Sequence, residues 1–289
     1  MKANPFNGDH LMTATTWRLI ITDPASGSWN MAVDEAIARI AARDDRPPTL
    51  RFYQWHPPTV SLGRHQPVED IDGEALSRRG WGIVRRPTGG RAILHTDELT
   101  YSIAGPATDP ILHGPVLDVY NRISDGLLLG LQRLGADVEK APASARSGDA
   151  SPACFEVPSA YEISIRGKKI IGSAQRRASG FVLQHGSLPL RGDITRLVEV
   201  MVFERERERE AFRRHLQSRA TTLEAALGRV VSFWEAAAVL VDGLNSALGV
   251  DFDQAELTPE ELDMAYQIER EKYASDAWTR HVSRATQLP

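Results

Sequence analysis

Cysteine is almost missing from this chain: Cys154 is the only one in 289 residues. A single cysteine cannot close an internal disulfide or supply a thiolate-rich metal site, but it leaves a nucleophile open. Long apolar runs are missing too. No stretch approaches the roughly 18 apolar residues of a membrane span, and the first twenty residues lack the apolar core of a signal peptide. The expected setting is therefore the cytoplasm, with no membrane partner. Charge of one sign is not in excess either. A formal net charge of −4 gives no global pull towards nucleic acid, so an acidic partner would have to find a local basic patch. His56 and His65 show no metal-ligand spacing, and no Gly-Lys-Ser/Thr follows a glycine loop as in a P-loop. There is no internal repeat and no strong linker. What remains is an ordinary core-forming composition, 42% hydrophobic and 25% charged.

The most informative stretch runs from Ser147 to Leu190 and contains Cys154. Residues 140–152 are rich in Ala, Ser, Gly, Asp and Pro and read as a loop. Tyr161–Arg166 alternates as a strand, and Gly167-Lys168-Lys169 turns into a second one. If the two pair, a lysine is carried back towards the cysteine. Lys169 is preferred to Lys168, and its ammonium would lower the thiol pKa and raise the thiolate fraction. Gly172, Ser173 and Ala174 leave room for an extended chain against the backbone. Phe181–Leu190 reads as a further strand broken at His185-Gly186. Without more context Cys154 also fits as a small buried residue.

A second stretch, Gly82–Ile103, places strand-like segments either side of Pro87-Thr88-Gly89-Gly90. Arg85, Arg86 and Arg91 crowd that turn. Either they hold an anionic group with guanidinium forks and free amides, or the turn is a hairpin with solvated arginines. Glu98–Ile103 alternates as a half-buried strand. Elsewhere the spacing predicts a strand over 17–22 and a core-facing helix over MAVDEAIARIAAR, with Asp34 and Glu35 in its early turns. Two strands cover 50–63, and a short polar helix covers 69–79. Helices are expected over 115–135, 222–228 and 232–248, with a solvated one near 204–210. Thr258-Pro259-Glu260-Glu261 has the form of a helix start.

Five segments occur together and in order: NMAVDEAI (30–37), YQWHPPTVSLGRHQ (53–66), RRPTGGRAILHTDELTYSI (85–103), ACFEVPSAYEI (153–163) and GKKIIGSAQRR (167–177). With them the chain resembles the biotin/lipoate protein ligase and octanoyltransferase superfamily over roughly residues 17–250. Within it, the chain is most similar to cysteine-dependent octanoyl-acyl-carrier-protein:protein N-octanoyltransferases. The resemblance implies an α+β fold, a single domain on a mixed, largely antiparallel sheet flanked by helices. It implies one catalytic domain over 1–289, with a core over about 30–250 and a helical extension over 251–289. Cys154 matches the family nucleophile and Lys169 the lysine that activates it. Arg85, Arg86, Gly89, Gly90 and His95 match the substrate-binding motif, and Gly172, Ser173 and Ala174 the wall of the acyl pocket.

The implied reaction moves octanoyl from octanoyl-acyl carrier protein through a Cys154 thioester to a lysine of a lipoyl domain. Acceptors of that kind are the glycine cleavage H protein or 2-oxoacid dehydrogenase E2 subunits, and no nucleotide, metal or other cofactor is needed. ATP-dependent lipoate ligases resemble Arg-Arg-x-Ser-Gly-Gly-Gly at the first motif, whereas Arg91 stands at the third glycine here. Such a ligase, an amidotransferase between lipoyl domains, and a non-catalytic carrier-binding protein are the rival readings. No cysteine-histidine-acid triad is legible, although His95 and His185 are candidate bases.

Overall fold

A computed structural model of the chain describes residues 15–142 and 161–280. In chain order its first half contains β1 (Thr15–Ile21), α1 (Gly27–Asp44), β2 (Thr49–Tyr53), β3 (Thr59–Leu62), α2 (Gly73–Arg79), β4 (Gly82–Arg85), β5 (Ile93–His95), β6 (Glu98–Pro106) and α3 (Val116–Arg133). The second half contains β7 (Val138–Pro142), β8 (Tyr161–Ile165), β9 (Lys168–Ala178), β10 (Phe181–Pro189), α4 (Glu206–Arg219), α5 (Leu223–Leu227), α6 (Phe233–Leu248), β11 (Val250–Gln254), α7 (Pro259–Ile268) and α8 (Asp276–Thr279). Eight strands form one sheet in the order β11-β1-β2-β6-β10-β9-β8-β7, and β4-β3-β5 form a second, small sheet. Only β1 makes parallel pairs in the large sheet, with β11 and β2. The expected mixed, largely antiparallel sheet is present.

Local chemistry explains where the helices begin. Ser26, Thr222, Ser232 and Thr258 each accept a hydrogen bond from a backbone amide two or three residues into the following helix. At Thr258 the Glu261 side chain answers with a bond to the Thr258 amide, completing a capping box behind Pro259. The helices cover both faces of the large sheet. Leu50, Phe52, Leu99, Tyr101 and Ile103 meet α3 and α6 on one face, while Ile20, Tyr53, Ala104 and Leu183 meet α1 and α7 on the other. The crossing of α3 and α6 needs glycine. A Cβ on Gly243 would stand 2.3 Å from the Gly126 carbonyl oxygen, so only bare backbone fits.

Several expectations change. β6 is buried along its whole length because helices cover both its faces, so it is not half-exposed. β10 runs unbroken through His185-Gly186, paired on both sides. The segments either side of Pro87–Gly90 are not a hairpin, since β4 and β5 each pair with β3 and not with each other. Helix α1 begins at Gly27, which moves Asp34 and Glu35 from the early turns into the buried middle of the helix. The segment after residue 250 is not purely helical: β11 is an edge strand of the large sheet.

The interior of α1 explains why its carboxylates tolerate burial. Asp34 Oδ1 accepts from Arg51 Nη1 at 2.8 Å and from Ser102 Oγ at 2.8 Å, and Oδ2 accepts from Tyr53 Oη at 2.8 Å. Burial alone would raise the Asp34 pKa, but the Arg51 guanidinium and His185 together outweigh it and hold the carboxyl below its ordinary range. Asp34→Ala would leave Arg51 charged and buried without its carboxylate. A loss of about 3–5 kcal/mol in urea-unfolding free energy is expected.

Candidate active site

Strand register builds the floor of a cavity. On the α1 side of the sheet, one cross-strand row is Arg51, Ser102, His185 and Ala174, and the next is Tyr53, Thr100, Ser187 and Gly172. Side chains alternate along a strand, so His185, Ser187, Gly172 and Ala174 share this face. A bulge between β8 and β9 pairs Ser164 with Lys169 but Ile163 with Ile171. The extra residue shifts the alternation by one and brings Lys169 to the side of Gly172. A Cβ on Gly172 would lie 3.4 Å from Lys169 Cε and 3.9 Å from Nζ, ordinary contact distances that set the lysine stem directly beside Gly172. The backbone of Lys169 is held from the other side, its carbonyl accepting from the Thr221 amide at 3.1 Å.

The cavity above this floor has a volume of about 340 Å3. Lys169, Gly172, Ser173, Ala174, Arg86, Gly89, Gly90 and His95 all line it, together with His185. Ser173 borders it while turning to the opposite face, where its Oγ is 2.7 Å from Tyr101 Oη. Met31, Tyr53, Trp55, Ile170, Val116, Leu117 and Tyr120 supply apolar wall. Cys154 lies outside the described residues. Arg85 is not a lining residue.

The two neighbouring arginines do structural work. Arg86 spends its donors on carbonyls: Nη1 reaches Ser61 O at 2.9 Å, Nη2 reaches Gly89 O and Arg91 O at 2.8 Å each, and Nε reaches Gly89 O at 3.1 Å. Burial lowers its pKa to about 10, so it remains a cation at neutral pH. It fixes the shape of the 86–91 loop and reaches the cavity only as wall. Neither sequence reading of the turn anticipated this, since the arginines are neither solvated nor splayed towards an anion.

Three of the four ring nitrogens of the two histidines are hydrogen-bonded, the exception being His185 Nδ1. His95 Nδ1 is 2.6 Å from Glu98 Oε1 and its Nε2 is 2.8 Å from Ser61 Oγ, while its ring stacks on Trp55 with centroids 3.9 Å apart. Glu98 also accepts from Ser187 Oγ at 2.6 Å and Thr100 Oγ1 at 2.5 Å. Burial would raise the Glu98 pKa, yet His95 and these hydroxyls hold it below its ordinary range. His185 Nε2 is 2.7 Å from Thr88 Oγ1, and its Nδ1 faces Asp34 Oδ2 at 3.7 Å. Burial pushes the His185 pKa down, and Asp34 only partly offsets that. His95 thus has both ring nitrogens engaged, whereas His185 keeps Nδ1 without a hydrogen bond on the Asp34 side. Trp55, Tyr120 and Ser187 had no assigned role in the sequence, and only the order YQWHPP within a family motif marked Trp55 as more than core.

These shifts fix the sign of a pH dependence. His185 is held neutral, so an unfolded chain binds its proton first and stability falls as pH drops below about 6.5. The depressed Asp34 and Glu98 carboxyls add stability that is present above their unfolded pKa near 4 and lost below it. Urea midpoints should therefore fall between pH 7 and pH 5, and His185→Gln should flatten that interval while leaving the steeper loss below pH 4.

The site therefore sets a half-buried lysine beside glycines in an apolar cavity, on a mixed sheet with helices on both faces. The chain belongs to the family described as the lipoyl protein ligase A/B catalytic domain, whose model matches residues 26–245. The sequence also groups with one branch of that family, the octanoyltransferases named LipM. It is 43% identical over 269 residues to Octanoyltransferase LipM of Kyrpidia tusciae, covering 91% of this chain and 98% of that protein. It is 38% identical over 275 residues to Octanoyltransferase LipM of Bacillus subtilis, covering 92% and 99%. Among solved structures it is similar to a chain from an archaeal lipoylation system, a bi-partite lipoate protein ligase and its E2 lipoyl domain from Thermoplasma acidophilum. The TM-score is 0.78 at 24% identity, covering 95% of this chain and 100% of that one. Lipoate-protein ligase A bound with ATP gives 0.76 at 24% identity, covering 93% and 100%. These two likenesses establish the fold.

Proposed function

We propose that this protein is an acyltransferase of protein lipoylation that carries octanoyl on Cys154. Octanoyl-acyl carrier protein docks with its acyl chain in the cavity, and the Cys154 thiolate attacks the thioester carbonyl. The carrier's thiol leaves with a proton, and the acyl group stays on the enzyme as a new thioester. The neutral amine of a lipoyl-domain lysine then attacks that carbonyl, the C–S bond breaks to expel the Cys154 thiolate, and the nitrogen gives one proton to solvent as the amide forms. Moving an acyl group from thioester to amide is downhill, so the scheme needs no nucleotide. Covalent storage also lets two bulky proteins visit in turn. The Lys169 ammonium stabilises the thiolate and the oxyanion of each step. Arg91 on the cavity wall and the half-exposed Arg176, which donates to the Pro87 carbonyl beside that wall, give an acidic carrier positive charge near the cavity.

The observation that carries this reading is the placement of Lys169 in an apolar cavity walled by Gly172 and Ala174, in a chain whose relatives are octanoyltransferases. The rival is an ATP-dependent ligase, favoured by the fold likeness alone. One experiment separates them: a lipoyl domain is incubated with the protein and either octanoyl-acyl carrier protein without ATP, or free lipoate with ATP. Octanoylation of the acceptor in the first mixture is expected. Modification only in the second would overturn the transferase.

A further inference from the structure

We propose that the C-terminal segment Ser275–Thr279 belongs to the acyl site as a positioning device, acting through Arg85 and the Gly63–Gln66 turn on Gly90. The chain of contacts begins at Trp278, whose indole donates to the Arg85 carbonyl oxygen at 2.8 Å. The Arg85 guanidinium answers. Its Nη2 donates to Thr279 O at 2.7 Å, and its Nε donates to Thr279 O at 3.1 Å and Trp278 O at 3.3 Å. The other edge of the same group points the opposite way, Nη1 donating to Gln66 O at 2.7 Å, Gly63 O at 2.8 Å and Arg64 O at 3.2 Å. Arg85 is thus a staple between two segments more than two hundred residues apart. Every hydrogen bond it makes here is to a carbonyl, and burial lowers its pKa, partly offset by the charge of Glu69. A guanidinium in that position is costly to leave half-bonded.

The turn it grips bears directly on the cavity wall. A Cβ on Gly63 would stand 1.8 Å from the Gly90 carbonyl oxygen, so the two backbones are in contact and cannot move independently. The Arg64 amide donates to Thr88 O at 2.9 Å, and the Arg86 amide to Leu62 O at 3.0 Å. If Trp278 releases Arg85, the Nε and Nη2 edge loses its carbonyls, the turn loses its anchor, and the Gly89–Gly90 wall widens. A residue far from the reaction then sets how well the acyl chain is held. The segment itself is fixed on α1 through Lys272, whose ammonium lies 2.6 Å from Glu35 and 4.4 Å from the Trp278 ring centre.

The test compares Trp278→Ala and Trp278→Phe with Trp234→Ala, a change at an exposed tryptophan of α6. Two readouts are taken on the full chain: hydrogen exchange at individual amides, and steady-state transfer from octanoyl-acyl carrier protein. For Trp278→Ala, the Arg64 and Arg86 amides should exchange about tenfold faster while β6 and β10 stay protected. KM for the donor should rise about tenfold with kcat within about twofold. Trp278→Phe keeps the ring but not the N–H, and should fall between; it decides the matter if the alanine variant does not fold. Faster exchange confined to residues 269–280 with unchanged KM overturns the proposal. So does uniform acceleration through β6 and β10, which is global destabilisation. The kinetic arm rests on the transferase reading. If the wild type transfers no octanoyl, that reading fails, and exchange at Arg64 and Arg86 still decides the coupling.

Discussion

Mixing the protein with octanoyl-acyl carrier protein in the absence of nucleotide is expected to give one octanoyl adduct by intact mass, released by hydroxylamine. Cys154→Ala should give none. As the sole cysteine, Cys154 has no neighbouring thiol to substitute for it, so the mass of the variant is an unambiguous reading. Turnover onto a lipoyl domain should fall by about 10⁴-fold or more, since removing the nucleophile deletes both half-reactions at once. An adduct of equal yield on the alanine variant would place the acyl group elsewhere and end the thioester scheme. The readout is independent of the acceptor, so it stands even where the acceptor is unknown.

Lys169→Met carries the second large effect. Methionine fills nearly the same space beside Gly172 and keeps the stem that packs into the cavity, but it has no charge. Loss of the ammonium removes electrostatic support from the thiolate and from each oxyanion, and acyl transfer should slow by about 10²- to 10³-fold. The pH dependence separates the two roles. With the lysine gone, the acylation rate should keep rising towards pH 8.5, where an unassisted thiol ionises. A variant that slows without moving its pH profile would show that Lys169 acts on the oxyanion and not on the thiol. A variant as fast as wild type would remove Lys169 from the chemistry.

Much of this architecture is local and was readable from residue order. Ser26, Ser232 and Thr258 start helices because a short side chain can satisfy amides that the helix leaves open, and that is a property of three or four neighbours. The β8–β9 pair could be read in the same way, as two alternating runs joined at Arg166-Gly167, both with positive φ. The misreadings are non-local. Nothing near Pro87–Gly90 announces that β3 will insert between β4 and β5, so two strands flanking a glycine turn looked like a hairpin. The alternation of β6 looked half-solvated because polar side chains, Glu98, Thr100 and Ser102, face α1 and its buried network. The role of Arg85 depends on carbonyls near residue 279, nearly two hundred positions away. The residues the family resemblance singled out at Gly89, Gly90, His95 and Gly172–Ala174 border one cavity, but motif identity did not distinguish the arginine that lines it from the one that braces it.

The place of β1 in the large sheet bears on how the chain is made. Among the described residues its only neighbours are β2, which follows closely, and β11, which begins at Val250. During synthesis the first strand therefore offers one unpaired edge until more than two hundred further residues have left the ribosome. Sticky edges of that kind are where nascent chains associate wrongly. The polar and charged residues of β1, Thr15, Thr16 and Arg18, would blunt that edge while it waits. A ribosome that stalls before Val250 would release a chain that lacks β11, the strand that covers this edge of β1.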